Sequence, residues 1–384
     1  MHFSAILLSS KQPAYPALSY SQMDNSHRET LAGLSSSGTL QTPLSCVELF
    51  GQSILERTVA RLRKAGLCNI SVIAESDCIS FHETKEVRIA TPNHAHGRWA
   101  DDHWAHGRWA DDHWAGVKRA LLKDVQRGID TVLIARVGAY VEADLPDALR
   151  FHRAKAQAVT PFHDAHGSLS YWIVDAARVL STSEEFPPDE DRIINAPQPY
   201  QVQGYVNRLA DPRDFRRLAV DAFLGRCSIA PGGREVKPGV WVDEGARLHK
   251  TARLVAPCYV GSNARVQAGA VITRCSNLER NCNVGEGSLV SNASLFPHTM
   301  IGRGLDVSTA LVAGHDFIDL GRNVALRIED PNLISNVPPV KRTVPVPLPD
   351  DGEVDRLSPG PEFEYSEYFS RAKGLLLEVF KGGV

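Results

Sequence analysis

The sequence predicts a doubly wound α/β domain followed by a parallel β-helix, and three observations carry that expectation. Aliphatic residues fall at every sixth position from Val236 through Val242, Leu248, Leu254, Val260, Val266, Ile272, Leu278 and Val284 to Val290, with Phe296 next in step. Before them, short apolar runs alternate with amphipathic segments, the pattern of a βαβ sheet. The 384 residues also exceed what one core usually holds.

Ala5 to Leu8 is a short apolar run closed by serines, as expected of a first strand buried on both faces. Residues 10–45, rich in Ser, Pro, Gln and Thr, read as a long loop with one short helix around His27 to Gly33. Ser53 to Ala65 spaces Ile54, Leu55, Val59 and Leu62 as the buried stripe of a helix that Gly66 ends. Asn69 to Ala74 is the next buried strand, so strand, helix and strand make a right-handed unit. Trp114 to Val125 reads as a helix and Thr131 to Val137 as a buried strand. Asp144 to Lys155 is a helix whose acidic first turn and basic last turn suit its dipole. Leu169 to Val174 is a strand, residues 181–199 an acidic surface loop, Asp211 to Leu224 a helix, and Gly225 to Gly233 a hinge.

A period of six fits neither an isolated helix nor one alternating strand. It fits hexapeptide turns of a β-helix, in which each side contributes one inward aliphatic and a small or polar corner. Corners such as Gly261-Ser262-Asn263-Ala264 and Gly285-Glu286-Gly287-Ser288 supply residues that accept sharp bends. A β-sandwich with regular turns is the alternative, and the unbroken phase counts against it. The period stops after Phe296 and returns at Val312, Ile318 and Val324, which predicts one loop extruded over Pro297 to Leu311. Pro338 to Pro349 should run extended. Residues 361–380 should form a terminal α-helix, with Phe369, Leu376, Val379 and Phe380 covering an end or side of the coil. The expected divisions are 1–230 for the α/β domain, 234–335 for the β-helix and 336–384 for the extension.

The chain carries 42 basic and 45 acidic residues, a net charge of -3, with no basic run. Nucleic acid and anionic membrane are therefore not expected partners. Seven scattered cysteines without a C-x-x-C pair suit a reducing cytoplasm and give no zinc spacing. The amino terminus reads as lacking an export leader, and no apolar run is long enough to span a membrane. AHGRWADDHW occurs twice without a difference, at 95–104 and 105–114, which points to recent duplication or a cloning artefact. Its neighbourhood holds His94, His96, His103, His106 and His113, which would bind a divalent metal only on an ordered backbone; a solvated insertion is the simpler reading.

Several blocks in order resemble the sugar-nucleotide pyrophosphorylases, the family of mannose-1-phosphate guanylyltransferase and glucose-1-phosphate adenylyltransferase. Ala5-Ile6-Leu7-Leu8 is similar to the family's first strand, and Gly51-Gln52-Ser53-Ile54-Leu55-Glu56-Arg57 to its G-K-P-[IM]-L-E-[RH] helix start. Asp144-Leu145 with Phe151-His152 and Ala158-Val159-Thr160 looks like the D-L…F-H…A-x-T block that follows the family's metal aspartate. Gly204-Tyr205 through Asp214-Phe215 is similar to G-Y-W-x-D-I-G-T-P-E-D-Y. The resemblance runs from residue 5 to about 335. It implies a Rossmann-like nucleotidyltransferase domain followed by a left-handed parallel β-helix, and a nucleotide or nucleotide sugar as ligand.

That chemistry brings several negative charges together, and the family meets them with a glycine-rich loop, basic side chains and carboxylate-held magnesium. Here the glycine-rich position reads Ser9-Ser10-Lys11-Gln12-Pro13-Ala14-Tyr15, with Tyr15 in place of arginine, and the P-K-P position reads Gln41-Thr42-Pro43. The two metal aspartates align with Ala139 and Arg208. Asp130, Glu142, Asp144 and Asp211 lie close enough in sequence to serve a remodelled metal site. Carried over by position, Ser9, Ser10, Lys11 and Gly116 are candidate nucleotide contacts. Lys11 also reads as a solvated loop lysine and Gly116 as a helix-start glycine.

Three readings follow. The first keeps the scaffold without catalysis, with no cofactor, to bind a nucleotide sugar or to assemble as a homo-oligomer or with an active paralogue. The second is a working Mg2+-dependent sugar-1-phosphate nucleotidyltransferase. The third is a hexapeptide acyltransferase with His298 or His315 as base, Asp316 orienting the latter; a loop and a corner histidine are the ordinary reading of both.

Overall fold

The computed structural model describes residues 3–9, 44–67, 69–73, 87–90, 108–181 and 198–337. The loop and helix expected over 10–43, Ser10, Lys11, the first tandem copy, most of the acidic loop and everything from 338 onward lie outside those residues. No helix among those described is long and apolar enough to cross a membrane.

The amino-terminal sheet has seven strands in the order Tyr200–Gln201, Val159–Asp164, Gly167–Asp175, Thr131–Arg136, Phe3–Leu8, Asn69–Ile73 and Val87–Ala90. Phe3–Leu8 lies between two parallel neighbours, with Leu7 paired to Val72 on one side and Ala135 on the other. Gly167–Asp175 is antiparallel to both of its neighbours, so the sheet is mixed. Alternation along the first strand explains the layers. Ala5 and Leu7 face the core shared with the helices Ile54–Lys64, Leu145–Lys155 and Pro212–Phe223. Ile6 and Leu8 face a second core with Val117, Leu121 and Val179 of the helices Arg108–Gln126 and Ala176–Ser181.

The helices begin where the sequence supplies caps. Ser53 and Glu56 form a reciprocal capping box, and Asp144 and Asp211 each accept the backbone N–H three residues on, with Pro146 and Pro212 in the first turn. The strand Val159–Asp164 was not foreseen as such, since Pro161 and two polar residues near its end, His163 and Asp164, hide its alternation.

Past residue 238 the chain lays short parallel strands into three sheets, an arrangement compatible with a β-helix. Partners lie eighteen residues apart at first, as in Val240↔Cys258, Arg247↔Arg265 and Arg253↔Val271. From Asn277↔Ser294 onward the interval is seventeen, as in Val284↔Ile301 and Leu289↔Asp306. One residue is dropped at each later passage of a single corner. This corrects the extruded loop expected over Pro297 to Leu311: Thr299–Ile301 and Asp306–Ser308 continue the stack, and Leu295, Ile301, Val307 and Val312 carry its apolar line. Ile318 and Val324 are not a resumed period either. Ala310–Ala313, Asp316–Asp319 and Val324–Arg327 form antiparallel hairpins at the end of the largest of the three sheets.

The other end also departs from the six-residue pattern. Val236 lies on an antiparallel edge strand, Arg234–Lys237, and is 41% exposed; Leu248 is 40% exposed. Both keep the phase, but no turn among the described residues is hydrogen-bonded above Leu248 to bury it.

The corners obey a backbone rule. Gly245, Asn263, Asn281 and His298 occupy equivalent corner positions and all have φ between +56° and +72°. Asn263 donates its N–H to Glu244 O, Asn281 to Ser262 O and His298 to Arg280 O, so each rung is tied to the one below. Glycine and asparagine suit that left-handed geometry.

The stack and the α/β region share one core. Tyr259, Phe296 and Leu311 point outward from the stack and pack with Phe50, Phe215 and Phe223; Phe215 and Phe296 ring centroids are 5.2 Å apart. Polar ties cross the same boundary. Buried Glu279 accepts the backbone N–H groups of Phe50 and Gly51, both at 2.8 Å, and Asn277 Nδ2 at 2.8 Å. Arg216, pushed down to about 10 by burial, donates to Asn277 Oδ1, Ser294 Oγ and the Cys275 carbonyl. A buried carboxylate and a buried guanidinium are thus joined through one amide.

Candidate functional site

The carboxyl ends of the parallel strands converge where open α/β sheets bind ligands. Ser9 follows the first strand there: its N–H donates to Ile73 O, and Val137 N–H donates to Leu8 O. Ser9 is buried, its Oγ 2.6 Å from Ser45 Oγ, so the hydroxyl is engaged with the protein itself. Gly116 lies within the helix Arg108–Gln126, not at its start. A Cβ there would come 3.3 Å from Ile73 Cγ2, so this glycine lets the helix approach the strand Asn69–Ile73.

The two positions aligned with metal aspartates are brought together. Val206–Asn207 pairs antiparallel with Tyr140–Val141, Asn207 opposite Tyr140, so Arg208 and Ala139 each lie one residue past the same end of that ladder. Gly204 permits the pairing to start: a Cβ there would fall 1.7 Å from Glu142 O. Ala139 is buried, and its carbonyl accepts Tyr171 OH at 3.5 Å.

Arg208 does not stand alone. Its Nε donates to Asp164 Oδ2 at 3.0 Å, its Nη2 to Asp164 Oδ1, and Nη2 also to Gly167 O at 2.9 Å. Asp164 and Gly167 close the hairpin between Val159–Asp164 and Gly167–Asp175, so the pair caps that hairpin at the ligand edge of the sheet. The hydrogen bonds from Arg208 hold the Asp164 carboxyl below its ordinary range, and Asp164 raises the arginine in turn. The motif comparison located position 208 but not its partner; the only local signal was the turn Asp164-Ala165-His166-Gly167.

Magnesium does not fit these residues. Carboxylate oxygens are its expected protein ligands, whereas a methyl group and a paired guanidinium occupy the two positions. The nearby acids serve elsewhere. Asp144 and Asp211 cap helices, and Glu142 accepts Tyr140 OH at 2.8 Å and the Ser228 N–H at 2.6 Å. Among the described residues no group of three or more His, Cys, Asp or Glu side chains is placed to hold a metal.

The histidines considered as acyl-transfer bases are also held by the fold. His298 sits on the corner ladder, not in a loop, and its Nε2 accepts Arg280 Nη1 at 2.7 Å, the same arginine that pairs with Glu48. His315 turns the first hairpin, its Nδ1 2.9 Å from Ile328 O, while the neighbouring Asp316 pairs with Arg327 instead.

The chain is similar to a UTP–glucose-1-phosphate uridylyltransferase of Synechocystis sp.. The two are 23% identical over 235 residues, covering 50% of this chain and 61% of that protein. The likeness is distant; it supports kinship with sugar-1-phosphate nucleotidyltransferases without selecting a type among them. No protein-family profile matches the chain.

Asp164 gives a pH prediction for this site. Its folded-state pKa is depressed, so the stabilisation is present above the unfolded value, about 3.9, and is lost as pH falls through the folded value. Asp164→Asn should therefore cost roughly 1 kcal/mol at neutral pH, modest because the pair is partly solvated. The difference from wild type should close in acid-titrated urea unfolding below about pH 4. A difference that persists unchanged to pH 2 would mean that the pair is not what the aspartate stabilises.

Proposed function

We propose that this protein is a sugar-1-phosphate nucleotidyltransferase-like protein of nucleotide-sugar metabolism that binds a nucleotide sugar and has lost catalysis of its synthesis. The observation that carries this reading is that Ala139 and the Asp164-paired Arg208 stand just past one end of a shared ladder at the ligand edge of the sheet. Transfer of a nucleotidyl group needs stabilisation of developing phosphoryl charge, and the two groups aligned with the metal holders cannot anchor the ion that supplies it. The scaffold argues for retained binding. The strand order reverses between Phe3–Leu8 and Thr131–Arg136, the kind of point where open α/β sheets bind ligands in a crevice past the carboxyl ends, and the distant relative is named as a UTP–glucose-1-phosphate uridylyltransferase. The same reading takes the stack as a left-handed hexapeptide β-helix over 234–335 behind an α/β domain over 1–230. Association with itself or with an active paralogue would then use the stack or the extension beyond it.

The test pairs two measurements on the full chain. Calorimetry with UDP-glucose and with other nucleotide sugars should show saturable binding. An assay of pyrophosphate release from UTP and glucose 1-phosphate with Mg2+, repeated across the nucleoside triphosphates, should show none. Turnover would replace this reading with that of a working enzyme.

A further inference from the structure

We propose that Arg208 is a ligand-binding residue whose guanidinium takes the place of a divalent ion, so that a nucleotide diphosphate sugar binds here without metal; this deepens the functional reading above and rests on it. The charge balance comes first. Two carboxylates at positions 139 and 208 would repel a diphosphate unless a cation lay between them. Here Ala139 carries no charge and Arg208 is matched by Asp164, so no net negative charge at these positions opposes the phosphates.

The donors of Arg208 come second. A guanidinium has five N–H groups. Asp164 takes Nε and Nη2, and the Gly167 carbonyl also accepts from Nη2, while neither Nη1 hydrogen meets an acceptor among the described residues. The Arg208 side chain is 32% exposed and that of Asp164 13%, so the guanidinium is the more accessible member of the pair. An arginine locked in this way by a carboxylate and a carbonyl offers its remaining Nη1 group as a positioned, charged donor for a phosphate oxyanion. Such an arginine loses little side-chain freedom when the ligand arrives, because its fork is already fixed.

Placement comes third. Ala139 follows the carboxyl end of the central strand Thr131–Arg136, and Arg208 lies next to it past the end of the ladder Val206–Asn207/Tyr140–Val141, on the edge where Ser9 also emerges. A diphosphate in that crevice would lie beside it.

The experiment is calorimetric titration of the full chain with UDP-glucose, in EDTA and in Mg2+, for the wild type, Arg208→Gln and Arg208→Lys. Circular dichroism and thermal unfolding check that each variant is folded. Affinity of the wild type should be the same in EDTA and in Mg2+. Arg208→Gln should weaken it by roughly ten- to a hundredfold, the worth of a hydrogen bond to a charged group. Arg208→Lys, a point charge without the fork, should recover only part of that loss. Binding that requires Mg2+ overturns the inference and leaves the functional reading standing. So does metal-free binding that Arg208→Gln does not change. Absence of binding in both conditions, extended to the GDP and ADP sugars, overturns both. If neither variant folds, Asp164→Asn serves instead: it frees the guanidinium from its anchor, and an affinity unchanged from wild type would sink the assignment.

Discussion

Replacing Glu279 by leucine is expected to lower the free energy of unfolding by about 3–5 kcal/mol, the usual cost of stripping one member from a buried charged network. The change leaves the N–H groups of Phe50 and Gly51 and the amide of Asn277 without their acceptor. It also removes the carboxylate whose charge offsets the burial of the Arg57 guanidinium. Burial, joined by the nearby Glu48 charge, pushes the Glu279 carboxyl upward; the three donors pull it back, and they are the reason a carboxylate is tolerated there. Urea unfolding followed by tryptophan fluorescence measures the effect, and a loss under about 1 kcal/mol would show that the network is dispensable.

The double variant Ala139→Asp/Arg208→Asp is expected to gain a divalent-cation site at these two positions. Both positions lie one residue past the same end of an antiparallel ladder, and Asp164, relieved of Arg208, would stand near as a third carboxylate. Oxygen ligands of that kind suit Mg2+ and Mn2+. At a hundredfold excess over its dissociation constant, Mn2+ should stabilise the double variant by about 2.7 kcal/mol and the wild type not at all. A control with asparagine at both positions should respond weakly. If the aspartate variant folds and Mn2+ leaves its unfolding unchanged, positions 139 and 208 do not face a common cavity, and their correspondence to metal-holding residues fails.

Much of this architecture is legible in the residues, and the exceptions have physical causes. Ser53 with Glu56, Asp144 and Asp211 mark helix starts because a side-chain oxygen is needed for an orphan backbone donor. The six-residue phase identifies the stack because each side turns one aliphatic inward. It cannot reveal that later turns drop a residue, since a shortened corner and an inserted loop break the phase alike. His298 misled for that reason, although its place above Asn281 was there to be counted. Val236 and Leu248 keep the phase and stay exposed, because periodicity records which way a side chain points and not whether anything covers it. At the site, the short motif blocks located Ala139 and Arg208. Asp164 was silent because an ion pair between residues 44 positions apart leaves no local pattern.

Tyr259, Phe296 and Leu311 have one further consequence. They pack against Phe50, Phe215 and Phe223 of the amino-terminal half, so cutting the chain near residue 230 would wet aromatic and aliphatic surface on both pieces at once. Each fragment would be sticky in isolation, and heating or urea should take the intact chain apart in one step across that seam instead of melting the halves in sequence.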